Sequence, residues 1–185
     1  MKTSLVALLI ASAAFSSLLA LAAATSHEPV ANNDRVPFPS DYQTGFAEIR
    51  VANQTSRTLL GTIYANPAAA AVRELAGLPY PDGSVIVMEW AQPVKDAQGG
   101  LLVDANGLWK KGAVVRVDVM RREKGYGAAY GDKRAGEWEF GSYRPDGSLL
   151  PPPSNGGWGS CAACHAKAAA RDFVFRGRFP TIDQK

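Results

Sequence analysis

Cysteine and histidine are almost absent: the 185-residue chain carries two of each. A zinc finger needs four such ligands, commonly as two pairs, and no second cysteine pair exists to complete one. Charged residues make up only 20% of the chain, with a formal net charge of +3, and no block of five or six like charges occurs. The densest basic cluster, Arg121, Arg122 and Lys124, is broken by Glu123 and reads as the solvated end of a strand, which leaves no footprint for nucleic acid. Beyond residue 24 no apolar run approaches the roughly 20 residues of a membrane-spanning helix. Internal repeats are missing as well. What remains, 46% apolar residues in a chain of this length, describes a single globular domain with a core of its own.

The first 24 residues differ from the rest. Lys2 precedes an uncharged run from Leu5 to Ala24, and Ala22 and Ala24 give a small-x-small ending before Thr25. This is the layout of a secretory signal peptide and predicts export to the periplasm, with no membrane contact after cleavage. The alternative is an uncleaved anchor, because the run is nearly long enough to span a bilayer. Residues 25–40, rich in Asn, Pro and charge without periodicity, are expected to form a flexible lead-in that includes His27. Residues 41–185 then form the domain.

Within that domain the pattern predicts an α+β fold: an antiparallel sheet of about five strands with a few helices. Short β-branched stretches at Phe46–Val51 and Thr58–Tyr64 read as strands. Asn66 and Pro67 have the form of a helix cap and first helical residue, and the run "AAAAVREL" predicts a helix ending at Gly77. Further strands are expected over Ser84–Ala91, Ala113–Glu123 and Glu137–Tyr143. The stretch "LLPPPSNGGWGS" is expected to be a loop, followed by a short helix over "AKAAARD".

Both cysteines and the second histidine stand together near the C-terminus as Cys-Ala-Ala-Cys-His, Cys161 to His165. Export favours disulfides, but a two-residue gap closes too small a loop to be a useful staple. A thioredoxin-like pair needs a βαβ setting, and a Gly/Pro-rich loop precedes the motif instead. Covalent haem attachment uses every residue: Cys161 and Cys164 add to the two vinyl groups as thioethers, and His165 becomes the axial ligand of the iron. One covalently attached haem c is therefore expected. No Met or His follows His165. A sixth ligand must come from Met88, Met120 or His27; if the two methionines only pack in the core, the iron keeps an open face suited to small molecules. Four long amphipathic helices are lacking, which excludes the four-helix cytochromes c′.

The segments "GTIYANPAAAA", "PDGSVIVMEW", "GEWEF" and "CAACHAKAAARDFVFRGRFP", in this order, resemble the superfamily of cytochrome P-460 and cytochrome c′-beta, from about Tyr42 to Pro180. The resemblance implies exported monohaem proteins on an antiparallel sheet, with a homodimer and a redox partner protein. In cytochrome P-460 members a lysine after the "DGxVxV" strand motif is bonded to the haem edge, a cross-link associated with hydroxylamine oxidation. This chain has Met88 there, and Gly61 where those members carry an arginine. The family's distal carboxylate matches Asp118. The cytochromes c′-beta lack the cross-link and are associated with nitric oxide, which this chain resembles more closely. Three readings follow: a binder of nitric oxide or similar small molecules, with Asp118 as a proton-transfer group for peroxide; a hydroxylamine-oxidising enzyme; and an electron carrier with Met88 or Met120 as sixth ligand.

Overall fold

The computed structural model describes residues 35–152 and 158–175. Five strands, β1 (Ala47–Gln54), β2 (Leu59–Ala65), β3 (Val85–Pro93), β4 (Lys111–Arg122) and β5 (Trp138–Tyr143), form one antiparallel sheet. Its order is β1-β2-β3-β4-β5, so each strand lies beside its sequence neighbour. The architecture is thus α+β.

Because side chains alternate between faces, the register assigns every strand residue to one side. Three rows run across one face: Gly61, Trp90 and Arg116; then Ile63, Met88, Asp118 and Ser142; then Ala65, Ile86, Met120 and Phe140. The helices gather over these rows. They are α2 (Pro67–Ala70), a 3-10 stretch at Tyr126–Lys133, α3 (Trp158–His165) and a further 3-10 stretch at Ala166–Arg171. Ile86, Met120, Tyr130, Trp138, Phe140, Trp158 and Ala162 belong to the core between the two layers.

The opposite face carries a second core of Val36, Tyr42, Tyr64, Val87, Val117, Val119 and Tyr143. A short helix, α1 (Tyr42–Gly45), closes this side. Glu89 is fully buried here, accepting from the Tyr42 hydroxyl at 2.6 Å and Gln43 Nε2 at 2.7 Å while pairing with Lys111. Burial alone would raise its pKa, but the bonds from Lys111, Tyr42 and Gln43 outweigh it and hold the carboxyl below its ordinary value.

Three expectations change. Residues 35–40, the described part of the expected flexible lead-in, are held tightly: Val36 is fully buried, and Arg35 bonds the buried Glu139 at 2.5 Å. His27 and the expected signal peptide lie outside the described residues. The helix expected up to Gly77 stops after one turn at Ala70, and the chain doubles back through a 3-10 turn at Leu75–Gly77. Gly77 thereby lies against Val72, whose Cγ1 sits 3.5 Å from where a Cβ would be. A continuous helix would put those two residues on different faces, so burial of Val72 overrides the alanine-rich propensity. At the other end the chain is already helical at Trp158, earlier than expected, and the helix contains the Cys-x-x-Cys-His motif itself.

Candidate haem site

Helix α3 forms where it does because Trp158 and Ala162, one turn apart, are both buried against β5 and the 126–133 stretch. That packing turns Cys161, Cys164 and His165, spaced i, i+3 and i+4, onto a common face. The three line a cavity of about 370 Å³ between the helix and the sheet. The two cysteines are not joined in a disulfide.

His165 is held in one tautomer. Its Nδ1 lies 2.7 Å from the carbonyl of Phe173, an atom that can only accept, so Nδ1 carries the hydrogen and Nε2 keeps its lone pair. Burial pushes the imidazolium pKa down, against the opposing pull of the Phe173 carbonyl and the Asp118 charge, and favours this neutral form. Bringing that carbonyl back requires a sharp reversal, with Asp172 and Phe173 both at positive φ, 49° and 64°. The reversal is pinned from two sides. The Asp172 carboxylate accepts from the Tyr80 amide at 2.8 Å, and its carbonyl accepts from the Trp138 indole at 2.9 Å.

The sheet supplies the facing wall. Met88 and Asp118 are cross-strand partners, and both line the cavity. Asp118 is fixed by three donors: Trp90 Nε1 at 2.8 Å, Arg116 Nε at 2.6 Å and the Ser142 hydroxyl. Its charge, after burial, helps raise the pKa of the Cys161 thiol. Most of the remaining wall is apolar, from Ile49, Ile63, Ile86, Met120, Phe140 and Val174. Gly61 matters by what it lacks, since a Cβ there would meet the Trp90 ring at 3.3 Å and Met88 Sδ at 3.4 Å. The Met88 sulfur therefore leans over Gly61, along the sheet. Lys95, the lysine nearest downstream, pairs with Leu101 in the β3–β4 connection and does not line the cavity.

Trp90, Arg116 and Ser142 were not singled out in the sequence as site residues. The signal for the first two was simple alternation: Trp90 lies two positions after Met88, and Arg116 two before Asp118. Ser142 could be found only through the β4–β5 register.

Two thiols and an imidazole with a free Nε2, set over an apolar cavity, fit a c-type haem. The fold and this constellation define a cytochrome built on an antiparallel sheet rather than a helical bundle. The Cytochrome P460 family model matches residues 39–176, and the chain belongs to that family. The comparison with curated proteins returns no match. Membership implies a c-type haem as cofactor, with Cys161 and Cys164 placed to hold the porphyrin and His165 the iron. When bound, such a haem supplies an iron centre that takes small ligands and exchanges single electrons.

Proposed function

We propose that this chain is an exported monohaem cytochrome whose covalently attached haem c keeps an open distal face for nitric oxide or a similar small molecule. The observation that carries the reading is the pairing of Met88 with Gly61. At the position where a cross-linking lysine would stand, a thioether lies folded over a glycine, and among the described residues no lysine lines the cavity. Among the described residues an amine-to-porphyrin bond therefore has no donor at the cavity, which argues against hydroxylamine oxidation by a cross-linked haem. The lie of the sulfur along the sheet also favours packing over coordination, and so an open site over an electron carrier ligated by Met88.

On this reading the chain's residues divide the work. Cys161 and Cys164 anchor the porphyrin, and His165 presents Nε2 with its ring oriented by Phe173. The apolar wall admits uncharged diatomic ligands, which need no hydrogen bond to enter. Asp118, which lines the cavity beside Arg116 and Ser142, accepts and returns the proton that peroxide cleavage requires. Haem attachment after export, with a redox protein supplying electrons and a homodimer as the assembled form, completes the proposal.

The test is titration of the ferrous holoprotein with nitric oxide, followed by visible absorption. A high-spin spectrum that converts stoichiometrically to a nitrosyl form supports the reading. A red-shifted cross-linked chromophore, or a low-spin spectrum with sulfur-to-iron charge transfer in the ferric protein, overturns it.

A further inference from the structure

Trp90 occupies a place that neither haem attachment nor ligand entry requires. It is 8% exposed and lines the cavity on the same face of β3 as Met88. Its Nε1–H donates to Asp118 Oδ2 at 2.8 Å. Over the face of the indole the guanidinium of Arg57, an exposed residue of the β1–β2 connection that also lines the cavity, stands 5.5 Å from the ring centroid. One aromatic system thus reaches from the cavity wall to a solvated side chain.

Indole is among the most readily oxidised side chains, and losing one electron makes its N–H strongly acidic. A bare radical cation in an apolar wall is costly. An N–H already donated to a carboxylate avoids that cost, because the proton crosses the existing bond as the electron leaves. Tyr130, another oxidisable ring near Cys161, differs: its hydroxyl accepts from the Phe140 amide. Met88 is an oxygen-atom acceptor rather than a reversible one-electron donor.

We infer that Trp90 is a one-electron relay between the haem and the surface, with Asp118 Oδ2 as its proton acceptor. The inference rests on the open-site reading above, and the oxidant is hydrogen peroxide. Peroxide takes up two electrons and two protons to give two waters. Trp90 supplies one electron through the haem and passes its Nε1 proton to Asp118, leaving a neutral indolyl radical. A one-electron reductant of the phenol or redox-protein class, meeting the ring on its Arg57 side, returns an electron to Trp90 while Asp118 returns the proton. A second reductant molecule supplies the other electron, and the two protons that peroxide takes up come from the two phenol hydroxyls or, where the reductant is a redox protein, from solvent. The balance is one peroxide and two reductant molecules giving two waters and two singly oxidised products.

The experiment treats the ferric holoprotein with peroxide, without reductant, and freezes it within milliseconds for electron paramagnetic resonance. The outcome expected is an organic radical whose hyperfine pattern changes on ring deuteration of tryptophan and which disappears in Trp90→Phe. Asp118→Asn, which removes the proton acceptor, should sharply reduce the radical yield. A second readout needs no variant: peptide mass spectrometry of the wild-type protein should place the added oxygen on Trp90 rather than on Trp109, Trp138 or Trp158. A haem spectrum that responds to peroxide together with a radical unchanged in Trp90→Phe, or oxidation at the other tryptophans, overturns the relay and leaves the open-site reading standing. A haem spectrum indifferent to peroxide overturns the relay, and only a haem that also fails to take up nitric oxide overturns the open-site reading.

Discussion

Met88 and Gly61 are best understood as a pair. A Cβ at 61 would press on the Trp90 ring at 3.3 Å and touch the Met88 sulfur at 3.4 Å, so the small residue at 61 leaves the space that the Met88 thioether occupies. Replacing Met88 with Lys therefore has a definite expected outcome. Peroxide treatment of the M88K holoprotein should bond an amine to the porphyrin, seen as a red-shifted absorption band and as porphyrin mass on the peptide containing residue 88; an unchanged spectrum would contradict this placement. Asp118→Asn tests the proton-handling role. The variant keeps an acceptor for Trp90 but cannot carry the proton, and peroxide-driven oxidation of a reducing dye should fall by roughly 100- to 10,000-fold, the span of a positioned acid–base group. Stopped-flow kinetics would show it, and a rate within a few-fold of wild type would assign Asp118 to structure alone.

At the scale of elements, the strands were legible because alternating β-branched residues bounded by Pro-Asp-Gly turns have few other ways to fold. The helices were less so. The "AAAAVREL" run carries helical propensity, yet Val72 gains more by packing under Gly77 than a longer helix would offer. Helix α3 is hard to read from sequence because its placement rests on Trp158 and Ala162 packing against β5, a long-range contact. The 3-10 stretch at Tyr126–Lys133 gave no periodic signal. It depends on backbones meeting so closely that a Cβ on Gly127 would fall 1.6 Å from the Gly136 carbonyl oxygen. The haem-binding motif could be read from spacing alone, whereas the facing wall needed the register, since a slip of one residue would exchange Asp118 for Val117 or Val119. Asn66 ties two of these elements together. Its Oδ1 accepts from the Ala69 and Val85 amides, both at 3.0 Å, and its Nδ2 donates to the Gly83 carbonyl at 2.8 Å. Asn66→Ala removes a helix cap and a strand clamp at once and should cost about 2 kcal/mol in denaturant unfolding. A loss near zero would show that water replaces all three bonds.

For the whole molecule, stability and chemistry are divided between the two faces of the sheet. The face away from the cavity depends on Glu89 staying ionised beside Lys111. Its lowered pKa sets the sign: the stabilisation is complete above the unfolded carboxyl value, near 4.3, and is lost as pH falls through the lower folded value. Lys111, raised by Glu89 and Tyr64 despite burial, contributes the opposite limb: its stabilisation is complete below the unfolded amine value and is lost as pH rises through the higher folded one. Glu89→Gln should therefore lower stability at neutral pH and flatten both limbs of a melting-temperature profile, whereas an unchanged profile would place the pH dependence elsewhere. On the proposed reading, the cavity face depends on the haem being fastened to helix α3 and nowhere else. The most direct test is mass spectrometry of the haem-bearing peptide from protein matured in a host that assembles c-type cytochromes. The account predicts one haem retained after acid–acetone extraction, on the peptide spanning Cys161 to His165 alone. Haem lost to the solvent, or bonded as well to a lysine-containing peptide, would contradict it.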